Sequence, residues 1–230
     1  MIMESNEVKY LGLYIDNKLE FSKQINILCC KINRMTGIFW KCPDIDLGTK
    51  KVIYHSLVES YLNYGILIWG SNFNKQICGS VCEDYTPSNL KPLKKAQNQV
   101  LRAIFRKKKY YKTTKTNTPS SPLYKELEVL KLYDLYCYNL AILCFEYYHN
   151  KNFPEKIGEL FTPRSEISQR ETRQHHLDLH VSNKIRLANT CKKPSVAGSA
   201  FWNKLPDSIK NISSKKKFKI KLKDYLINQY

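Results

Sequence analysis

Acidic residues, glycine and proline are scarce in this chain of 230 residues. Asp and Glu number 20 against 38 Lys and Arg, so the formal net charge is +18. Only 8 glycines and 9 prolines occur, which argues against collagen-like, linker-like and turn-dense all-β chains. Apolar residues make up 43%, a composition that supports a packed core and not a disordered chain. The cationic surplus predicts a polyanionic partner, either nucleic acid or an anionic membrane.

Long apolar runs are also absent. The longest dense run, Gly65–Gly70, is far shorter than the roughly 20 residues that span a bilayer. The first residues lack the basic-then-apolar order of a signal peptide. Eight cysteines in such a chain are best interpreted as reduced thiols. We therefore expect a cytoplasmic or nuclear protein that is not secreted.

Hydrophobic periodicity predicts a mainly α fold with one leading strand, Val8–Asp16. A first helix has its apolar stripe between Ile25 and Phe39, and a second runs from about Leu47 to Trp69 with Asp46 as N-cap. A third presents one apolar face, made of Leu93, Gln97, Val100, Leu101 and Ile104. Later helices are predicted over 122–130, 133–148 (with Leu135, Tyr136, Ile142 and Leu143 in the core), 195–206 and 214–229.

A basic and then Ser/Thr-rich stretch follows the third helix and predicts a domain boundary. Residues 1–118 would form a helical bundle with the leading strand. Residues 119–230 would form a helical and irregular C-terminal domain, with weak patterning from about 150 to 193.

Candidate metal and catalytic residues make no recognisable motif. Asp16, Asp44 and Asp46 lack the spacing of a two-metal site, so we interpret them as turn and cap residues. Cys78 and Cys82 have a spacing found in zinc sites but no nearby second pair. His175, His176, His180 and Cys191 fit no standard zinc finger. We predict no catalytic residue, no metal site and no cofactor in this chain.

The strongest signal is a basic stretch with no acidic residue between Tyr85 and Lys125. Lys91, Lys95, Arg102 and Arg106 fall on one side of the third helix, opposite its apolar face. Tyr110 and Tyr111 interleave with lysines and could stack on unpaired bases. The predicted nucleic-acid-binding residues are Lys91, Lys94, Lys95, Arg102, Arg106, Lys107, Lys108, Lys109, Tyr110 and Tyr111. The alternative is a solvated helix face followed by a loop.

A second basic helix lies near the C-terminus. It carries Lys215, Lys216, Lys217, Lys219, Lys221 and Lys223. A basic amphipathic helix can dock on protein, lie on an anionic membrane or contact phosphates, so its role stays open at this stage.

Short segments in a fixed order resemble the non-LTR (LINE, jockey-like) retrotransposon reverse transcriptases. The resemblance covers about Glu7 to Tyr230. It rests on Lys9-Tyr10-Leu11-Gly12, Ile15-Asp16, Gln24-Ile25, Tyr61-Leu62-Asn63-Tyr64-Gly65, Trp69-Gly70, Gln97-Asn98, Arg102, Thr172-Arg173 and Trp202-Asn203-Lys204-Leu205-Pro206. Phe21 and Gln24 stand where the family often has Trp and His.

The resemblance implies that this chain corresponds to the rear part of the polymerase. Residues 1–118 would be the last strand of the palm and a helical thumb, and residues 119–230 would be a C-terminal extension. The family's palm holds Mg²⁺ with an Asp-Asp pair, and this chain has no such pair. The implied partners are RNA, RNA–DNA duplex and the palm and fingers portion. The implied function is sequence-independent RNA or RNA–DNA binding without polymerase activity in isolation, because a thumb holds phosphate backbones with cationic helices.

Three alternatives stay open at this stage. The chain could be a free-standing basic nucleic-acid-binding protein, or a protein-interaction or membrane-surface module that uses its C-terminal helix. It could also be a decayed remnant of an element without a function.

Overall fold

The computed structural model describes residues 6–73, 86–106, 119–167, 177–181 and 193–230. The protein is mainly α with one small antiparallel sheet, which confirms the predicted fold class. The strands and the α-helices up to residue 104 are β1 (Glu7–Tyr10), β2 (Leu13–Asp16), α1 (Ser22–Lys41), α2 (Leu47–Ile53), α3 (Ser60–Asn63), α4 (Ile66–Trp69) and α5 (Lys91–Ile104). The later helices are α6 (Ser121–Leu127), α7 (Leu132–His149), α8 (Glu155–Gly158), α9 (Arg164–Ile167), α10 (Pro194–Lys204), α11 (Asp207–Lys210) and α12 (Lys215–Ile227).

The predicted single leading strand is wrong in one respect, because the segment folds back on itself as a hairpin. Strands β1 and β2 pair antiparallel, with Tyr10 opposite Leu13 and Glu7 opposite Asp16. Leu11 and Gly12 form the two-residue turn, and both have positive φ angles (45° and 82°). This is the backbone of a type I′ turn, whose twist suits a tight hairpin. The sequence did not predict this hairpin, because a leucine occupies the first turn position, where Asn or Asp is the usual signal.

The chain divides into two compact units. The first comprises Met1–Trp69, Thr86–Leu132 and Ile227–Tyr230, and the second comprises Gly70–Tyr85 and Tyr133–Leu226. The sequence places a boundary after residue 118, at the end of a segment outside the described residues. The structure groups α6 with the first unit.

The first unit is built on the packing of α1 against α5. Helix α1 buries an apolar stripe at helical spacing that includes Ile25, Leu28, Ile32 and Phe39. Helix α5 buries the face that the sequence predicted, from Leu93 to Ile104. The core of this unit therefore follows from two stripes with a period of 3.6 residues.

The predicted helix over 47–69 is interrupted twice. Asp46 is its N-cap, as predicted, and accepts a hydrogen bond from the Thr49 N–H at 2.9 Å. Residues Tyr54–Glu59 then form a π-helix. The helix breaks again at Gly65, whose φ is +65°. A Cβ on Gly65 would lie 2.6 Å from Leu13 Cδ1, so both the backbone angle and the close packing require glycine here.

The second unit centres on α7, α10 and α12. Phe145 and Phe218 stack at 4.4 Å between ring centroids, and Trp202 lies 5.9 Å from Phe218. Leu135 and Tyr136 are buried as predicted. Ile142 and Leu143 are only half-buried, because α7 turns Leu140, Ala141, Cys144 and Phe145 inward instead.

A short strap, residues 177–181, is held by the second unit. Asn203 pairs with the Leu179 backbone in both directions, accepting from its N–H at 2.9 Å and donating to its C=O at 2.8 Å. The Trp202 indole N–H donates to the Leu177 carbonyl at 2.8 Å. An isolated bridge joins Leu179 to Pro163. Side chains of α10 therefore fix this strap much as a neighbouring strand would.

Candidate nucleic-acid interface

Helix α5 has one buried side and one cationic side. Its buried side chains include Leu93, Val100, Leu101 and Ile104. At 3.6 residues per turn, Lys91, Lys95 and Arg102 fall within about 40° of one another on the opposite side. Helix α5 contains no acidic residue. Burial on one side and the absence of carboxylates thus leave a positively charged outer face.

We use the name α5 cationic stripe for Lys91, Lys95, Arg102 and Arg106. Lys91, Lys95 and Arg106 are exposed, and Arg102 is half-buried. Within the described parts of the chain, no ion pair is formed by Lys91, Lys95 or Arg106. Cations that lack a carboxylate partner are the ones that can neutralise phosphates at little cost in broken contacts.

Two predicted binding residues differ from the helical pattern. Lys94 is half-buried on a flank of α5, and its ammonium donates a hydrogen bond to Thr86 Oγ1 at 3.1 Å. Arg106 was predicted on the helix, but α5 ends at Ile104 and Arg106 follows with a left-handed φ of 51°. It therefore lies at the carboxyl end of the helix. Lys107, Lys108, Lys109, Tyr110 and Tyr111 lie outside the described residues.

A buried polar hub positions α5. Gln97 is fully buried, and its Nε2 donates to the Tyr54 hydroxyl at 3.0 Å and to the Leu130 carbonyl at 2.9 Å. Tyr124, also buried, places its hydroxyl 3.0 Å from Gln97 Oε1. Burial raises the pKa of the Tyr54 phenol, so this group stays neutral at any physiological pH. The hub joins α5 to the π-helix, to α6 and to the Leu130 backbone.

Helix α1, which the sequence predicts as a helix but not as a cationic one, is a second acid-free helix in the same unit. Helix α1 carries Lys23, Lys31, Arg34 and Lys41 and contains no Asp or Glu. Lys23 pairs with Glu7 at 2.6 Å, and this hydrogen bond raises the pKa of the lysine. The Lys31 ammonium lies 4.8 Å from the centre of the Tyr61 ring. Arg34 and Lys41 are exposed. The absence of Asp and Glu between Ser22 and Lys41 is the feature of the sequence that could have identified this helix as cationic.

The aspartates near the start of the chain have structural roles. Asp16 accepts hydrogen bonds from the backbone N–H groups of Lys18 (3.1 Å), Glu20 (2.9 Å) and Phe21 (2.5 Å). It thereby shapes the turn between β2 and α1. The hydrogen bond from Thr49 lowers the pKa of Asp46, as expected of an N-cap. These observations confirm the interpretation of Asp16 and Asp46 as turn and cap residues.

The described residues contain no group of metal ligands. No three His, Cys, Asp or Glu residues in this part of the chain lie close enough together to hold an ion. Cys137 and Cys144 are buried thiols, and Cys29 is half-buried. Burial raises the pKa of Cys137 and Cys144 and so suppresses the thiolate. The predicted candidates Cys78, Cys82, His175, His176 and Cys191 lie outside the described residues.

The other lysine-rich helix, α12, differs in arrangement. Its buried side chains include Phe218, Leu222 and Leu226. Lys215 pairs with Glu146 of α7. Ile220 is 52% exposed on the outer side, between the exposed residues Lys216, Lys217 and Lys221. The outer face of α12 therefore combines exposed lysines with an exposed apolar side chain.

Among the helices that the structure describes, none combines the length and the apolar character that a membrane span requires. A comparison of the chain with protein-family models, with curated proteins and with solved structures finds no match.

Proposed function

We propose that this chain is the thumb and C-terminal part of a non-LTR retrotransposon reverse transcriptase and that it binds RNA or RNA–DNA duplex through the phosphate backbone. The motifs described above, which occur in a fixed order from Lys9-Tyr10-Leu11-Gly12 to Trp202–Pro206, support the proposed membership of this family. The α5 cationic stripe supports the binding role. In this proposal the catalytic carboxylates and their Mg²⁺ belong to a palm that this chain does not contain.

The observation that carries the proposal is the division of α5 into an apolar side and an acid-free cationic side. A helix packed on one face and held by the Gln97 hub is rigid, and its outward charges keep their spacing. Phosphate contacts fix position without reading sequence. The proposed binding is therefore sequence-independent and strongly salt-dependent.

The first experiment measures binding of the purified chain to a short RNA and to a matching RNA–DNA duplex across a salt series. The variant replaces the α5 cationic stripe by glutamine (K91Q/K95Q/R102Q/R106Q). Each lost phosphate contact lowers the salt slope by about 0.7 to 0.9, so the slope should fall by about 3 and the affinity should drop.

The matched control is an α12 variant that removes four lysines as well (K216Q/K217Q/K221Q/K223Q). Both variants have the same net charge, so a general effect of charge would weaken them equally. The proposal predicts a clearly smaller change for the α12 variant. Equal losses, or an unchanged slope in the α5 variant, would contradict it.

A second experiment tests the proposed lack of polymerase activity. The purified chain is incubated with a primed RNA template, nucleotides and Mg²⁺ or Mn²⁺. We expect no extension of the primer. Template-dependent synthesis would show that the chain has a catalytic centre of its own.

A further inference from the structure

Trp40, near the end of α1, is the exposed member of the three tryptophans in this chain. Trp69 and Trp202 are fully buried, whereas Trp40 is 46% exposed. A single exposed apolar side chain is common on protein surfaces. The surroundings of the indole ring therefore decide whether it marks a binding site.

The surroundings of Trp40 on α1 are cationic. The helix contains no acidic residue, and Arg34 and Lys41 are exposed along with Trp40. Neither cation forms an ion pair within the ranges that the structure describes. The nearest acidic residue in the sequence, Asp44, lies beyond the end of the helix. An open aromatic ring and available cations thus share the exposed half of one helix.

The helical turn before Trp40 leaves the flank of its ring open. Side chains in an α-helix lean toward the N-terminus, so the indole lies over the turn that holds Thr36 and Gly37. Thr36 donates a hydrogen bond from its hydroxyl to the Ile32 carbonyl at 3.2 Å. A Cβ added to Gly37 would meet no atom within 4 Å, so no packing contact requires glycine there. Glycine weakens a helix interior, and its effect at this position is to keep the ring accessible.

An unpaired nucleotide base matches this combination of an open ring and cations. A base has a flat apolar face that stacks on an aromatic side chain, and its neighbouring phosphates can be neutralised by Arg and Lys. Bases inside a duplex are already stacked, so their faces are not available. An apolar protein partner would need more apolar area around the ring, and Thr36 and Gly37 supply almost none.

We propose that Trp40 is a base-stacking residue that takes one unpaired base from a nucleic-acid strand whose phosphates lie on Arg34 and Lys41. The inference rests on the proposed function. It adds a contact that only a base can make to a binding mode that otherwise depends on phosphates.

The test compares two strands with the same number of phosphates: an unstructured RNA strand and a strand of equal length in which every nucleotide is abasic. Stacking of one base corresponds to a factor of about five or more in affinity. The unmodified protein should therefore bind the RNA strand at least about fivefold more tightly. The RNA strand should also quench the fluorescence of the exposed indole, and the abasic strand should not.

The variant W40A should bind both strands with the affinity that the unmodified protein has for the abasic strand. W40F should lose the fluorescence signal but keep most of the preference, because a phenyl ring still stacks on a base. The matched control is I38A, which removes another exposed apolar side chain from α1 and should keep the preference. The variant that lacks the α5 cationic stripe should weaken binding of both strands and keep their ratio.

Gly37 allows a test that leaves Trp40 in place. In G37M a flexible side chain can cover the flank of the indole, and it enters open space, so the fold is not disturbed. This variant should lose most of the preference for the RNA strand. G37A gains helix propensity as well but is too short to cover the ring, and it should keep the preference.

Three results would overturn the inference: equal affinity of the unmodified protein for the two strands, equal weakening of both strands in W40A, or a full preference in G37M. A shift of the Trp40 emission with protein concentration, in the absence of nucleic acid, would assign this face to a contact between copies of the chain and also overturn it. If the unmodified protein binds neither strand, the proposed function fails as well. Binding of both strands without a preference leaves the proposed function standing.

Discussion

Each compact unit contains a buried polar cluster, and the two clusters differ in charge. In the first unit the polar hub under α5 is a neutral amide, Gln97, and the cations Lys91 and Lys95 point outward without an ion pair among the described residues. In the second unit a lysine, Lys210, is itself buried against a carboxylate, Asp178, at 3.0 Å.

The same contrast separates the two basic helices. Helix α12 has more lysines than α5, yet its first lysine pairs with Glu146 and its outer face includes the exposed Ile220. Helix α5 has fewer cations, but they share one side and no acidic residue interrupts them. The difference teaches that arrangement and pairing, more than the number of charges, identify a surface suited to phosphates.

The largest expected effect breaks the buried ion pair of the second unit. In K210M the Asp178 carboxylate loses its ammonium partner in a site where Lys210 is only 3% exposed. Removing one member of a buried pair costs about 3 to 5 kcal/mol. We expect a loss of this size in the free energy of unfolding, measured with urea.

K216M serves as the control for K210M, because Lys216 is exposed on α12. Its unfolding free energy should stay within about 0.5 kcal/mol of the unmodified protein. A K210M protein as stable as K216M would show that the pair does not stabilise the second unit.

The second prediction concerns the neutral hub of the first unit. In Q97L the Tyr54 hydroxyl, the Tyr124 hydroxyl and the Leu130 carbonyl each lose a buried partner. Unsatisfied buried groups cost about 1 to 3 kcal/mol each, and rearrangement recovers part of this, so we expect a loss of about 2 to 3 kcal/mol. Urea unfolding measures it, and Q99L, on the exposed side, should change little. If Q97L had the same free energy of unfolding as the unmodified protein, the hub would have to rearrange so that its polar groups find other partners.

The sequence predicts the helices and their buried faces well, because periodicity is a local signal. The apolar stripes of α1 and α5 and the N-cap Asp46 are examples. The hairpin and the π-helix over Tyr54–Glu59 were missed. A leucine at a positive φ and a widened helical turn leave no pattern in residue types.

The candidate site was only partly predictable, for a different reason. The outward stripe of α5 follows from helical spacing alone. Gln97 was predicted simply as a buried-face residue, whereas its role depends on Tyr54, Tyr124 and Leu130, which lie 43, 27 and 33 residues away. Likewise, only the fold shows that Lys94 bonds to Thr86 and that Lys23 pairs with Glu7. Contacts between distant residues decide which cations stay available.

The third prediction gives α5 an ion pair of the kind that Lys215 of α12 forms with Glu146. Q99E places a carboxylate on the exposed side of α5, four residues after Lys95 and three before Arg102. No cation is removed, but both neighbours gain a competing anion. We expect RNA affinity to fall about fivefold, roughly 1 kcal/mol, with a lower salt slope.

The isosteric control for Q99E is the unmodified glutamine itself. A second control is K151Q, which replaces an exposed lysine and so lowers the net charge by one unit, as Q99E does, far from α5 in the sequence. If Q99E binds RNA as tightly as the unmodified protein, then ion pairing does not decide which cations bind, and the comparison between the two basic helices loses its physical basis.

The smallest expected effect concerns the ion pair that anchors α12. The hydrogen bond from Lys215, more than the opposing effect of burial, holds the pKa of Glu146 below its usual value of 4.5. A lowered pKa in the folded state stabilises the protein above the pKa of the unfolded chain, and this contribution disappears as the pH falls through the folded-state pKa. Because the Lys215 side chain is 56% exposed, solvent screening keeps the contribution below about 1 kcal/mol.

E146Q should therefore be slightly less stable than the unmodified protein in urea at neutral pH, and the two should converge as the pH falls below about 4. High salt should shrink the difference at neutral pH, whereas a difference that persists at acidic pH would mean that Glu146 contributes through packing and not through its charge.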